Sequence, residues 1–383
     1  MTSTLFLQSD VQDPYSLYQS MLNKNPIYWD EDNKIWAIYS YEYCVEILKN
    51  PEALIPVINL NNEQKLNKHA LDILTNLTRL SNGIQHEINR EIANLLFQNM
   101  KSVEINTILS QLIKDDLIEN KIDWVNSVCK KLPLLVVLKS FGFAANDCAF
   151  VLDEIEVLVK IMLPDKTEKQ IKSINEISET LFLITEKQLS ELDFYNHFFN
   201  KISKAKVLPP DEIKKITISN VIGLFIQSYD AGRGILSNLL LQIIDYQTFN
   251  NKTEIQKSII ETLRFDPPIH NTRRIANIDI TLGETTIKKG EKIVVILAAA
   301  NRDPKKFENE SDFDIERFNN NEHLTFGVGG HRCVAKHFST HLATEALWFL
   351  YEQYKTIALL ENNIEYEPMI NARLPKNIWI SVQ

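Results

Sequence analysis

From about residue 60 to residue 265, apolar side chains recur at three- and four-residue steps, and the run stops at Asp266-Pro267-Pro268. That spacing predicts helix. The residue before a proline is pushed out of the α region, so the chain must change character there. Ile88, Ala93, Leu95 and Phe97 mark one helical segment, and Val151 to Met162 another. Pro209-Pro210-Asp211-Glu212 is a helix-start signal before a long apolar stretch, Ile216 to Ile244. Beyond Pro268 the pattern is β-like and rich in turns. Ile278 to Ile280 and Thr285 to Ile287 flank Gly283-Glu284, and Lys289-Gly290 leads into Ile293 to Leu297. The N-terminal part reads as strand, polar turn and strand over Pro26–Trp29, Asp30–Asn33 and Ile35–Tyr39, then a short helix over Tyr43–Leu48. Helix is predicted again from Val334 to Tyr354, followed by short strands. The expected class is mainly α with a small β portion, in one large domain over 1–383. Within it, a β-containing part occupies about 1–60, a helical core 60–265, a β-rich part with a glycine loop 266–335, and a C-terminal helix with strands 336–383.

Helix also explains why glycine is scarce. Only ten occur in 383 residues, yet three crowd into Phe326-Gly-Val-Gly-Gly330. A net charge of −9 leaves no footprint for nucleic acid. The N-terminus lacks the basic stretch of a signal peptide, and the longest apolar run, Ile293 to Ala300, is eight residues. Four dispersed cysteines without a CxxC pair fit a reducing compartment. The expectation is a cytoplasmic monomer with no membrane anchor.

One cysteine stands apart. In Phe326-Gly-Val-Gly-Gly-His-Arg-Cys333-Val-Ala335 a thiol closes the glycine loop where a helix begins. A helix N-terminus and the neighbouring His331 and Arg332 favour the thiolate. Glycines let backbone amides approach the sulfur. Such a group is a nucleophile or a metal ligand, although an isolated cysteine more often simply packs before a helix. No Gly-Lys-Ser/Thr follows, so this is not a phosphate loop. A zinc site of His331, Cys333, His337 and His341 matches no common structural spacing.

The decapeptide resembles the heme-binding loop of the cytochrome P-450 family, in which this cysteine ligates the iron. Three further stretches resemble the family in the same order. Glu261-Thr-Leu-Arg264 is similar to its Glu-x-x-Arg pair, joined by Arg317 in a structural role. Arg274 resembles the arginine that reaches a heme propionate, with Arg273 as the alternative. His86 and Arg90 are similar to its His-x-x-x-Arg, two residues that share a helical face. The resemblance implies heme b (iron protoporphyrin IX), with Cys333 as metal ligand and His86, Arg90, Arg274, Phe326, Gly327, His331 and Ala335 around the cofactor.

The apolar stretch Ile216 to Ile244 carries Asp230 in its middle, with Gly232 and Gly234 just after. Burying a carboxylate is costly unless it is paired or moves protons, and each glycine weakens a helix by about 1 kcal/mol. A polar break in the helix is the alternative. The family's central helix carries Ala/Gly-Gly-x-Asp/Glu-Thr, and here Gln227-Ser228-Tyr229-Asp230-Ala231 stands in its place. The acid is kept, and the hydroxyl is replaced by Ala231, which has no proton to give. The resemblance makes Asp230, in apolar surroundings that raise its pKa, the proton relay, with Ser228 one turn back as a substitute hydroxyl.

The implied activity is a monooxygenase using O2, fed by an external ferredoxin or flavodoxin, with Arg332 and Lys336 offering positive charge to that donor. Its substrate is a small molecule, free or tethered to a carrier, and proton delivery is completed by the substrate. The alternatives are an oxidase that couples rings, cyclises or dehydrogenates without retaining oxygen, and a heme-binding sensor. Pocket walls are expected from 52–82, 150–205, Gln227, Ala231, Ile269, His270 and Asn271.

Overall fold

The computed structural model describes residues 4–56, 65–163, 165–192, 195, 202, 208–246 and 248–383. The chain divides into two compact units, residues 1–56, 105–130 and 230–383 in one, and 57–104 and 131–229 in the other. The first holds every strand among the described residues, and the second is helical. The mainly helical architecture with a small β portion is the expected one.

In the first unit a five-stranded sheet runs in the order Ile27–Asp30, Ile35–Ile38, Lys292–Ile296, Asn271–Ala276, Ala53–Leu54. Ile35–Ile38 and Lys292–Ile296 pair in parallel, with Trp36 opposite Ile293, and the other neighbours are antiparallel. The uninterrupted apolar run from Ile293 follows from burial on both faces. Ile293 and Val295 face Cys44, Ile47 and Leu48, while Val294 and Ile296 face Tyr18, Ala37 and Tyr39. The predicted N-terminal hairpin forms within a residue of its expected ends. The helix predicted over Tyr43–Leu48 spans Tyr41–Lys49.

The second unit is organised around the Pro210–Gln227 helix, in which every residue from Ile216 to Ile226 is buried. A helix apolar on all sides belongs inside. It packs on the Lys68–Asn76, Gly83–Gln98 and Glu168–Ser190 helices. Its polar residues are satisfied locally: Ser219 Oγ donates to the Asp72 carbonyl (3.0 Å), and Asn220 Nδ2 to those of Asn76 (3.1 Å) and Ile216 (2.9 Å).

The long apolar stretch is not one regular helix. Residues Ser228–Gly232 form a π-helical turn, and α-helix resumes over Arg233–Ile243. This is neither a straight helix nor a polar loop: one extra residue per turn accommodates the conflict while keeping the backbone bonded. Gly234 does not loosen that helix. A methyl there would strike Pro268 and come within 2.5 Å of Leu374, so the glycine permits close approach of those segments. Leu374 can rotate away, but the proline ring cannot. Gly234→Ala is therefore expected to lower stability by about 1–3 kcal/mol despite alanine's better helix propensity. A downward shift of the urea midpoint at unchanged slope checks this.

Candidate functional site

In the first unit the cysteine loop is built onto a buried charge network. The Lys252–Phe265 helix carries Glu261 and Arg264, both fully buried. Arg264 donates to Glu261 through Nη2 (2.6 Å) and Nε (2.9 Å), and to the carbonyls of Asn301 (3.1 Å), Glu310 (2.9 Å) and Asp312 (2.8 Å). Arg317 Nε adds a contact to Glu261 at 3.3 Å, and the Asp314 amide another at 3.0 Å. Nothing in an i, i+3 acid–base spacing distinguishes this from a surface pair. Burial does.

Asn301 carries the network to the loop. Its Nδ2 donates to the Leu263 carbonyl (3.2 Å) and to Thr325 Oγ1 (2.9 Å), and its Oδ1 accepts from the Leu324 amide (2.6 Å). From there the loop turns back on itself: Gly327 N–H donates to the Leu324 carbonyl (2.7 Å), and Cys333 N–H to the Phe326 carbonyl (2.8 Å). Gly327 and Gly329 have φ of +66° and +74°, the left-handed region. At Gly329 a side chain is excluded as well, since a Cβ would lie 2.7 Å from the Leu48 carbonyl oxygen. His331 is half-buried in the short turn Gly329–His331. Cys44, Cys129 and Cys148 are buried, whereas Cys333 is exposed. The following helix starts at Lys336, with Ala335 as its N-cap, two residues later than the sequence pattern suggests. His331, Cys333, His337 and His341 form no cluster fit for a metal, and none exists among the described residues.

Neighbouring arginines separate cleanly on the Asn271–Ala276 strand. Side chains alternate, so Arg273 is exposed and Arg274 is buried, 4% exposed. Arg274 Nη1 donates to Thr272 Oγ1 (3.1 Å) and the Arg273 carbonyl (2.7 Å). Among the described residues it has no carboxylate partner, and burial alone pulls its pKa down to about 10. A buried guanidinium in this state suits an anionic group.

The expected pocket residues of this unit have distinct environments. Ile269 is half-buried and bridges to Ala372. His270 is fully buried between tyrosines, its Nδ1 3.0 Å from Tyr18 Oη and its Nε2 3.5 Å from Tyr15 Oη. Asn271 donates to the Ile370 carbonyl (2.9 Å), while its buried Oδ1 has no partner among the described residues. Ala231 is half-buried in the π turn. Asp230 is not in the apolar surroundings that the sequence suggested. Its Oδ1 lies 3.2 Å from Arg233 Nη2, and an ion pair favours the carboxylate form.

The second unit holds the remaining candidates. Ser228 Oγ donates to the Phe225 carbonyl (3.0 Å) and Gln227 Nε2 to that of Gly223 (3.3 Å), so both fold back on their own helix. His86 is buried, and its Nδ1 lies 3.0 Å from the Thr78 carbonyl. Because a carbonyl only accepts, Nδ1 carries the hydrogen there. Thr78 in turn donates to Asn220 of the central helix (2.5 Å). Arg90 lines an open depression of about 480 Å³ with Glu87, Glu91, Asn94, Leu95 and Gln98. Of the expected pocket walls, residues 57–64, 164, 193–194, 196–201 and 203–207 lie outside the described residues.

Sequence reasoning missed His323 and Glu367, and it gave Asn301, within the family-like stretch Ala298–Pro304, no role of its own, because what each does depends on which groups packing brings near. His323 is buried and accepts from the Thr325 amide through Nδ1 (3.2 Å), its ring 5.6 Å from that of Phe326. Burial, then the Lys336 and Arg264 charges, pull its pKa down to about 3. The folded state therefore keeps His323 neutral, while the unfolded chain protonates it below its ordinary value of 6.5. Its contribution is whole above 6.5 and is lost as pH falls toward 3. His323→Gln is expected to flatten the fall in stability across that window, which urea titrations of both proteins at stepped pH measure.

Comparison with known proteins gives concordant matches. The cytochrome P450 family model matches residues 241–354. The chain is similar to cytochrome P450 119 of Sulfolobus acidocaldarius, 26% identical over 367 residues, covering 91% of this chain and 94% of the relative. Its fold is similar to the crystal structure of CalO2 (TM-score 0.85, 18% identity, 99% of each chain). It is also similar to that of P450BioI in complex with hexadec-9Z-enoic acid ligated acyl carrier protein (TM-score 0.78, 20% identity, 97% of this chain and 99% of that one).

Proposed function

Since this chain belongs to the cytochrome P450 family, whose members bind heme b through a cysteine thiolate, we propose that it is a monooxygenase placing one atom of O2 in a small organic substrate, with Cys333 as the residue that would ligate the heme. The observation that carries the assignment is the loop: Cys333 is exposed at the end of a turn held by two left-handed glycines and anchored through Asn301 to the buried Glu261–Arg264 pair. The donor set fits the cofactor. An exposed thiol offers the sulfur, and buried Arg274, with no carboxylate partner among the described residues, offers charge to a propionate. The family resemblance makes His86 and Arg90 further candidates for the cofactor's anionic edge.

When bound, heme supplies oxygen activation, with thiolate donation favouring O–O cleavage. The chain's own part is electrostatic and positional. Asp230 holds and releases a proton. Ala231 cannot relay it, and Ser228 has its hydrogen directed at the Phe225 carbonyl, so a hydroxyl or amide of the substrate completes the path. The buried acceptor on Asn271 is placed to take a hydrogen bond from a polar substrate group. Exposed Arg332 and half-buried Lys336 present positive charge to an acidic ferredoxin or flavodoxin. The likeness to an acyl-carrier-bound structure supports a carrier-tethered substrate as one form of the guest.

The reduced carbon monoxide complex is expected to show the long-wavelength Soret band of a thiolate-ligated heme. Cys333→Ala should remove that band while the fold persists by far-UV circular dichroism. A wild-type spectrum without it would sink the assignment.

Ala231 favours one further reading, an oxidase that couples, cyclises or dehydrogenates without retaining oxygen. Turnover under labelled dioxygen with a surrogate electron-transfer pair separates the two. Label in the product is expected for the monooxygenase, and an oxidised but unlabelled product would favour the oxidase.

A further inference from the structure

Arg233 is the first residue after the π turn, and its side chain is 5% exposed. Two carboxylates share its guanidinium: Nη2 lies 3.2 Å from Asp230 Oδ1, and Nη1 donates to Glu367 Oε1 at 3.2 Å. The two acids are 23% and 26% exposed, so both reach solvent while the cation between them is buried. The C-terminal segment is brought to this point by packing. Gly234 admits Pro268 and Leu374 against the helix, and the Glu367 amide donates to the Leu374 carbonyl at 2.8 Å. Glu367 therefore meets Arg233 from a segment over 130 residues away, which no local pattern announces.

We propose that Glu367 is a positioning residue for Asp230, acting through Arg233 to set how tightly the helix acid is held. A guanidinium divided between two carboxylates holds each less firmly than it would hold one alone. With Glu367 charged, Asp230 can leave the ion pair, take a proton from solvent and pass it to oxygen being reduced by electrons from the external donor. It regains its charge at each release, so the cluster is unchanged over a cycle. With Glu367 neutral, the Arg233 charge is no longer shared with that carboxylate and holds Asp230 more firmly in the ion pair. The Arg233 charge also reaches Cys129, but burial pushes that thiol well up, so it stays neutral beside the cluster. This device replaces nothing that Ala231 lost. It governs the acid that remains, and it rests on the monooxygenase reading above.

The test uses the heme-loaded protein with a surrogate ferredoxin pair and dioxygen as the only added oxidant. Wild type, Glu367→Gln, Asp230→Asn and the double variant are compared for oxygen consumption, peroxide yield and solvent deuterium isotope effect. Glu367→Gln is expected to slow consumption by about threefold or more, the weak end of contact coupling, and to raise the isotope effect. Asp230→Asn should erase the response to position 367. Equal losses in both Asp230 backgrounds, or no change at all, would overturn the proposal.

A second readout needs no turnover. In urea unfolding, positions 230 and 367 should be non-additive, and that coupling should vanish when Arg233→Gln is added; additivity from the start overturns it. If Glu367→Gln folds poorly, Glu367→Asp, which keeps the charge, should retain the wild-type isotope effect. An isotope effect raised by Glu367→Asp as well would also overturn it. Loss of the thiolate-type carbon monoxide band in wild type would instead defeat the heme-thiolate assignment, so the two failures are distinguishable.

Discussion

The buried pairing of Arg264 with Glu261 is the constraint on which the cysteine loop depends. One guanidinium, itself fully buried, makes two contacts to the carboxylate and three to backbone carbonyls at Asn301, Glu310 and Asp312. Removing either partner would strand a charge in the interior, which makes the arrangement costly to break rather than highly stabilising in itself. Its value lies in specifying geometry. The irregular segment between Asn301 and Leu324 has little secondary structure of its own, and the network gives its carbonyls a common donor. Asn301 then bonds to Leu324 and Thr325, so the position of the loop is set by the end of a helix some sixty residues earlier.

The π turn at Ser228–Gly232 expresses a different conflict. An apolar helix must accommodate an acid, and it does so by widening one turn and supplying a cation three residues on. Asp230 is thus neither an acid surrounded by apolar groups nor a residue in a polar loop. It is one arm of a shared ion pair. With Ala231 next to it offering no hydroxyl, the acid is the carboxylate of that turn, which gives the partners of its charge more influence on its behaviour.

Much of the fold is legible in the sequence because it rests on local rules. Proline and glycine punctuation and the period of apolar residues locate the N-terminal hairpin and the Tyr41–Lys49 and Lys336–Gln353 helices within a few residues, and the run from Ile293 reads correctly as a strand, while the cover on both its faces came from packing. The cysteine loop is legible for a related reason. Its function requires backbone conformations that only glycine adopts readily, and those leave a literal trace. Less visible were the choice between Arg273 and Arg274, the surroundings of His270 and the partner of Asp230. Each depends on which neighbour packing brings near.

What the amino-acid sequence determines by itself is therefore the class of fold and the thiol at the end of its glycine loop, while alanine in the place of a hydroxyl is read only against the family's pattern. These follow from residue types at short spacing, where conformation and chemistry are intrinsic to the chain. Tertiary structure alone decided that Glu261 and Arg264 are buried, that Arg274 is buried with no carboxylate partner among the described residues, and that Arg233 joins Asp230 to Glu367. Those are properties of charge in a low-dielectric interior. A charge there is defined by its distance to groups far along the chain, and sequence spacing carries no record of that distance.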